Sequence, residues 1–359
     1  MSKPSGLVKG TGYFLILLGS LWAISDLTFG LEYSWLLFLY RALAPVLFAL
    51  SAIGFSSVVL IAWWRGNKLT TKQIALWCLL LCVALGPIIR SLEFIPTYIL
   101  RAPEGSPTIS ILNINALGFR DLSTAVISEI ASRDPDVVTI QEVNPALADA
   151  LSKRFSASYR CIVLKPADGS WGMGTLAKNP CSEQLLPSHT NWIGPPLIIE
   201  TTTSSGAPVT VANFHAIHPH AAVQNPYPQL ETNTELGLWR RLSQPISDRQ
   251  LAFKTLLAAL GAPDQRNIVM TGDLNASMRN NIYALIRTSG FRDAWLDLHP
   301  IFSGGTWPAP EFLGGLGLGW LLRIDFIFRS EALLPIEIEL LSETLGSDHR
   351  GIFGRFAVG

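Results

Sequence analysis

The sequence predicts an α/β protein: a mixed-sheet sandwich, preceded by about three transmembrane helices. Three observations lead there. Apolar stretches of membrane-crossing length crowd the first hundred residues. Beyond Pro103, β-rich runs outnumber helical ones, and helices come between some of the strands, which favours a mixed sheet over a doubly wound parallel one. Composition agrees: of 359 residues 49% are hydrophobic and only 15% charged, against the ~25% charge usual for a soluble domain. The same figures exclude a disordered chain, and four cysteines are too few for a disulfide scaffold.

The apolar stretches run over Thr11–Phe29, Ala44–Trp64 and Ile74–Ile89. A helix needs ~20 apolar residues to cross the hydrocarbon core. Ala44–Trp64 contains no charge, the third stretch is charge-free up to Arg90, and the first carries Asp26 near its end, at an interfacial position. Lys3 and Lys9 flank the first stretch; Arg65, Lys68 and Lys72 fill the loop between the second and third; the remaining loop has only Arg41. Basic loops stay in the cytoplasm, so three crossings place everything after Pro103 outside. The expectation is an integral protein of the plasma or inner membrane with residues 1–100 in the lipid bilayer, a linker at 101–107, and an extracytoplasmic domain over 108–359. The two parts differ in charge, +4 for residues 1–100 and −4 for the rest. Cys78 and Cys82 fall in the third span. Cys161 and Cys181 fall in the large domain, where an oxidising compartment would let them pair; sequence alone leaves that open.

In the large domain, Ile109–Asn115 is a β-rich run ending in a polar residue. Ser123–Arg133 has helical spacing, with Val126, Ile127 and Ile130 on one side, and Asp134-Pro-Asp136 stops it. Asp136–Glu142 is a second buried strand and Pro145–Phe155 a second helix. Strands follow near Tyr159–Leu164, Gly172–Ala177, Leu197–Thr202 and Val209–Phe214, then a helix over Asp248–Leu260. Asn267–Thr271 is a strand running into Gly272–Asn275. Ile282–Thr288 is helical, and Ile324–Arg329, Ile336–Leu341 and Gly351–Val358 are late strands.

Polar residues recur where the apolar strands stop: Asn115, Glu142, His215, Asp273 with Asn275, Asp325, and Asp348 with His349. A strand end presents its side chain at the rim of a sheet, so groups from separate strands are able to converge in one pocket. Carboxylates are hard oxygen ligands for Mg²⁺, which keeps several waters and takes one or two carboxylates plus substrate phosphate. Asn and His donate to phosphate oxygens, and an Asp–His pair fixes the ring tautomer and raises its basicity. His215, His218 and His220 lack the spacing of a helical zinc site, and Pro219 interrupts them.

In this order and spacing, Ile111-Leu-Asn-Ile-Asn115, Ile140-Gln-Glu-Val143, Asn213-Phe-His215, Thr271-Gly-Asp-Leu-Asn275, Arg323-Ile-Asp-Phe-Ile327 and Ser347-Asp-His-Arg350 resemble the endonuclease/exonuclease/phosphatase superfamily over about residues 107–359. The resemblance implies the DNase-I-like four-layered α/β sandwich and hydrolysis of a phosphoester dependent on Mg²⁺, with Mn²⁺ as a possible substitute. It implies Glu142 as principal metal ligand with Asn115 beside it and Asp348 as a further acidic group near the metal. Asp273 would orient or deprotonate the attacking water and Asn275 hold the phosphate. His215 would stabilise the transition state or protonate the leaving oxygen. Asp325 would orient His349, which would contact the phosphoryl group or transfer a proton. Two departures, Leu176-Ala-Lys178 where the family often has Leu-Ser-Arg and Gly351 where it has Pro, touch none of these positions. The substrates implied are nucleic acid, a phospholipid headgroup or a small phosphate ester. The alternative is a catalytically silent membrane-tethered binding module of the same fold, whose signature, loss of Glu142, Asp273 or His349, is missing. Two long insertions, Pro219–Ser247 and the Gly-rich apolar Ser303–Leu322, join elements that end in these residues and are expected to border the pocket mouth.

Overall fold

The computed structural model describes residues 35–92, 94–96, 102–103, 105–186, 192–218, 238–264, 266–300, 304–313 and 319–359. The chain divides into two compact units, Met1–Phe94 with Arg279–Asn281, and Ile95–Met278 with Ile282–Gly359.

In the first unit two helices, α1 (Trp35–Trp64) and α2 (Thr71–Leu92), are joined by a short turn. Both are long and apolar enough to cross a membrane. These are two of the three expected spans; Thr11–Phe29 lies outside the described residues. Helix α1 starts before its sequence-based bound and α2 runs past both of its own, with Pro45 and Pro87 carried inside the helices. A reciprocal cap starts α2: the Gln73 backbone N–H donates to Thr70 Oγ1 (3.3 Å) and the Thr70 backbone N–H to Gln73 Oε1 (3.0 Å). Gly54 lets the helices approach, since a Cβ there would lie 2.4 Å from the Trp77 ring. Leu50, Ile53, Leu60, Trp63 and Trp64 of α1 are exposed.

The second unit has two six-stranded sheets. The first contains β1 (Thr108–Asn115), β2 (Val137–Gln141), β3 (Cys161–Lys165), β4 (Met173–Ala177), β11 (Leu333–Leu340) and β12 (Ile352–Val358), in the order β11-β12-β1-β2-β4-β3. The second contains β5 (Ser182–Gln184), β6 (Trp192–Thr202), β7 (Pro208–Ala216), β8 (Ile268–Asp273), β9 (Arg292–Asp293) and β10 (Asp325–Arg329), in the order β5-β6-β7-β8-β10-β9. Each is mixed: one parallel pair, β1 with β2 or β7 with β8, sits among antiparallel neighbours. Parallel neighbours need a crossover. Helix α3 (Ser123–Arg133) makes the first, followed after β2 by α4 (Pro145–Phe155); α5 (Leu238–Leu260) makes the second, and α6 (Asn281–Thr288) and α7 (Ala294–Leu298) come later.

Helices cover the outer faces, giving four layers. Val126 and Ile130 of α3 and Leu147, Leu151 and Phe155 of α4 pack on Leu112, Ile114, Val138 and Ile140. On the other side Phe253 of α5 meets Trp192 and Phe214 with ring centroids 4.7 and 5.2 Å away, and Tyr283 of α6 packs on Phe326 at 5.5 Å. Between the sheets Ile109, Ile111, Val137, Val209, Val211, Val269 and Ile327 form the central core. Period-two alternation assigns these faces: odd-numbered positions of β1 and β2 point at the second sheet and even-numbered ones at α3 and α4.

A disulfide ties the two sheets, and a buried ion pair fixes the far edge of the second. Cys161 on the edge strand β3 forms a disulfide with Cys181, just ahead of the edge strand β5, so the pair bridges the sheets. At the opposite side, Arg323 donates to both carboxylate oxygens of buried Asp293 at 2.9 and 2.6 Å, and the Tyr283 hydroxyl donates to the same carboxylate at 2.8 Å.

Candidate active site

The two parallel pairs explain why polar residues gather. Parallel neighbours end at the same edge of a sheet. Thus β1 and β2 deliver Asn115 and Glu142 together, while β7 and β8 deliver His215 and Asp273, which are register partners. Antiparallel β10 begins where β8 stops, so Asp325 pairs with Asp273. Each is at least nine-tenths buried.

Strict alternation would turn Glu142 away from the face that carries Thr139 and Gln141. The backbone instead takes a left-handed conformation at Glu142 (φ 63°), which ends the strand and swings the carboxylate inward. There it accepts from Asn115 Nδ2 (3.2 Å) and the Gly118 backbone N–H (2.9 Å). Asn115 Nδ2 also donates to Asp273 Oδ2 at 3.2 Å, and Asn115 Oδ1 accepts from the Leu117 N–H at 3.1 Å. Asn115 therefore stands as a donor between two carboxylates. His215 Nε2 lies 3.4 Å from Asp273 Oδ2 and 3.9 Å from Glu142 Oε1. His349 Nδ1 lies 2.9 Å from Asp325 Oδ2, and its Nε2 3.8 Å from Asp273 Oδ2. Asn275, also left-handed (φ 49°), donates its backbone N–H to Asp273 Oδ1 (2.7 Å) and its amide to the Ala216 carbonyl (3.0 Å).

Asp348 sits apart from the others. Its Oδ2 accepts from the Trp307 indole at 3.1 Å, and its Oδ1 is 3.9 Å from His349 Nε2. The structure thus brings Asn115, Glu142, His215, Asp273, Asp325 and His349 into one cluster, with Asn275 behind Asp273 and Asp348 at the rim.

Burial alone would push the Asp273 carboxyl up; the charges of His349 and His215 and a hydrogen bond from His215 outweigh it and hold the group at about 2. Burial would likewise push the His349 ring down, but the Asp325 and Asp273 charges win and raise it to about 10. At neutral pH the pocket therefore holds an ionised Asp273 next to a protonated His349, a proton donor.

Among the described residues, Asp273, Asp325 and His349 offer ligand atoms that all lie within 4.8 Å of one another. Asp325 Oδ1 is buried without a hydrogen-bond partner. Carboxylates from three strands, one with an orphaned oxygen, suit a hard divalent cation. The Glu142 carboxylate lies beside this group, linked to Asp273 through the Asn115 amide.

Several further contacts support the cluster. The Ser347 hydroxyl donates to the Asn115 carbonyl (2.8 Å) and accepts the His349 N–H (3.1 Å), joining motifs 232 residues apart. Thr306 Oγ1 accepts the N–H groups of Ile324 and Asp325 at 3.1 and 3.2 Å. Arg249, at 2% exposure, donates to the carbonyls of Asn275 and Ile217. Of the two insertions expected at the mouth, 219–237 of the first and 303 and 314–318 of the second lie outside the described residues; the rest of the second is described, and its Trp307 reaches Asp348 at the rim.

The family model for the endonuclease/exonuclease/phosphatase family matches residues 111–349. The chain belongs to this family. Solved structures of similar fold include D. rerio TDP2 humanized by 14 mutations (21% identity over 69% of this chain and 98% of that one, TM-score 0.53). They also include the Neisseria 3′ phosphatase NExo, as a point variant bound to product DNA hairpin (17% identity, 69% and 99% covered, TM-score 0.52). A third is an endonuclease/exonuclease/phosphatase from Beutenbergia cavernae (17% identity, 70% and 72% covered, TM-score 0.51). At these identities the likeness is one of fold. Comparison of the sequence with curated proteins returns no match. The family motifs read in the sequence, from Ile111 to His349, span the matched region.

Proposed function

We propose that this family member is a membrane-anchored phosphoester hydrolase, dependent on Mg²⁺ or Mn²⁺, whose catalytic unit faces away from the cytoplasm. The observation that carries the reading is the meeting of Glu142, Asp273, Asp325, His215 and His349 in one buried cluster. Glu142 would hold the cation, with Asn115 and Asp273 beside it. Asp348, at the rim and bound to Trp307, is a more distant acidic neighbour. A divalent ion bound there would neutralise phosphate charge and polarise the ester.

The chain's own residues do the rest. Asp273, ionised, orients the attacking water or takes its proton. His349, protonated and steered by Asp325, donates to a phosphoryl oxygen. His215 stabilises charge on the leaving side, and Asn275 holds the phosphate. One well-placed donor is worth ~2.7–4 kcal/mol in the transition state.

The membrane part of the proposal rests on α1 and α2 and the basic turn between them. With Arg65, Lys68 and Lys72 in the cytoplasm, both ends of the helix pair face the other side, whichever way Thr11–Phe29 lies. The Cys161–Cys181 disulfide fits an oxidising compartment. For substrate class, the DNA hairpin on NExo supports nucleic acid. The net −4 of residues 101–359 weighs against tight non-specific duplex binding, which relies on basic residues; a lipid headgroup and a small phosphate ester are the other candidate classes.

The test is a panel of single- and double-stranded DNA, phosphoinositides, sphingomyelin and sugar phosphates, offered to the full detergent-solubilised chain. Turnover of at least one class with Mg²⁺ or Mn²⁺, loss in chelator, and a drop of roughly a hundredfold or more in Asp273→Asn are expected. Turnover of none, or turnover unaffected by Asp273→Asn, overturns the proposal.

A further inference from the structure

The inner faces of the central strands change character along their length. Ile109, Ile111, Val137, Val209, Val211 and Val269 are apolar and fully buried. The next inward positions carry Asn113, Thr139, Gln141, Asn213 and Thr271, each at 0% exposure. Only then come Asn115, Glu142, His215 and Asp273. A layer of amides and hydroxyls thus lies directly beneath the site, where the pattern below it would supply valine or isoleucine.

This layer carries hydrogen bonds from one sheet to the other. Gln141 Nε2 donates to Asn113 Oδ1 (2.9 Å) in its own sheet and to Asn213 Oδ1 (2.6 Å) in the opposite one. Asn213 Nδ2 returns to the first sheet, donating to the Gly174 carbonyl (2.8 Å) and the Ile140 carbonyl (3.2 Å). Thr139 Oγ1 donates to Asn113 Oδ1 at 3.0 Å. The layer is not free of cost: Asn113 Nδ2, Gln141 Oε1 and Thr271 Oγ1 are buried without partners. Apolar side chains would pack there without that penalty, and would leave the sheets free to settle by volume alone.

We infer that Gln141 and Asn213 are positioning residues: their cross-sheet bonds set the separation between Asn115 and Glu142 on one sheet and His215 and Asp273 on the other. Gln141 directly precedes Glu142, and Asn213 precedes His215 by two residues on the same face. The crossing bonds therefore sit one pleat below the 3.9 Å approach of His215 Nε2 to Glu142 Oε1. Hydrogen bonds fix direction as well as distance, which packing does not, and a misplacement of ~1 Å at a reacting centre costs about a hundredfold. The inference rests on the hydrolase reading above.

Four variants of the full chain test it: Gln141→Met, which keeps length and loses the amide; Thr139→Val, a milder lesion of the same layer; Val211→Ala, which loosens the apolar layer on β7; and Asp273→Asn. Mn²⁺ affinity, read by electron paramagnetic resonance, thermal midpoint, and kcat and KM on bis(4-nitrophenyl) phosphate are measured for each. Gln141→Met is expected to lower kcat roughly 10- to 100-fold with KM within about threefold, and to weaken Mn²⁺ binding roughly fivefold or more. Thr139→Val is expected to do the same to a smaller degree. Val211→Ala is expected to lower the midpoint while leaving kcat and Mn²⁺ affinity within about twofold of the parent. If Gln141→Met and Thr139→Val merely melt earlier, with kcat and Mn²⁺ affinity as in Val211→Ala, the inference is overturned. Should Gln141→Met fail to fold, Asn213→Ser, which removes the opposite partner of the crossing bond, decides by the same readings. Full turnover by Asp273→Asn would sink the hydrolase reading separately, and Mn²⁺ affinity would still settle whether the amide layer shapes the cluster.

Discussion

At Glu142 and Asn275 the backbone leaves the strand for the left-handed region, and both side chains belong to the candidate site. Asparagine tolerates that region; glutamate does so at a cost of order 1–3 kcal/mol. Glu142 also faces the charge of Asp273 across the Asn115 amide. Glu142→Gln keeps the shape and removes one of the like charges. It is expected to abolish most metal-dependent turnover, a loss of roughly a hundredfold or more, while the thermal midpoint holds or rises; parallel kinetics and calorimetry check both halves. A second prediction concerns Asp293. Burial raises its carboxyl, but the Arg323 charge and hydrogen bonds, with that of Tyr283, bring it below the usual carboxylate range. A lowered folded-state pKa contributes stability that is complete above the unfolded value, about 3.9, and is lost as pH falls through the folded value. Unfolding midpoints should therefore fall below about pH 4 in the parent, and Asp293→Asn should flatten that acid limb while lowering stability at neutral pH. The six clustered residues were legible as candidates because a polar side chain ending an apolar run is conspicuous. The Asp348–Trp307 contact was not, since the indole comes from a loop 41 residues away and no periodicity marks it.

The elements themselves follow their sequence signals unevenly, for identifiable reasons. Helices α3 and α4 occupy the expected residues, since a clean apolar stripe is closed by Asp134 in a left-handed cap (φ 45°) in one and opened by the Asn144 cap and Pro145 in the other. Strand β6 begins at Trp192, earlier than Leu197, because Gly194, Pro195 and Pro196 break the alternation; the register with β7 shifts at those positions. Helix α5 begins at Leu238 rather than Asp248, as the backbone continues through Pro245. The short β5, β9 and α7 had no pattern long enough to read. Gly272 is the element-scale feature with the sharpest consequence. Its φ of 149° suits glycine, and a Cβ there would stand 1.9 Å from the Phe214 carbonyl oxygen on β7. Gly272→Ala should force β7 and β8 apart and shift Asp273 against its register partner His215. We expect a stability loss of about 1–3 kcal/mol or more and a fall in kcat beyond that of a core variant with the same midpoint, both measurable on purified chain.

On the scale of the whole molecule, the charge pattern of the turn between α1 and α2 and the disulfide between β3 and Cys181 make the same demand. A disulfide that spans the open edges of two sheets persists only where thiols are oxidised. In the proposed topology the turn bearing Arg65 and Lys68, followed by Lys72, lies in the cytoplasm, and the helix pair leaves its two outer ends on the oxidising side. The two arguments share no residue. A reporter enzyme that needs its own disulfides to mature should be active when fused after Gly359 and inactive when inserted at Gly66. The reverse pattern would place the catalytic unit in the cytoplasm and leave the Cys161–Cys181 bond without a compartment to sustain it. Replacing both cysteines by serine should then leave topology untouched but lower stability by about 3 kcal/mol, the loop entropy expected for a separation of 20 residues. A reductant should reproduce that loss in the parent and have no effect on the double variant.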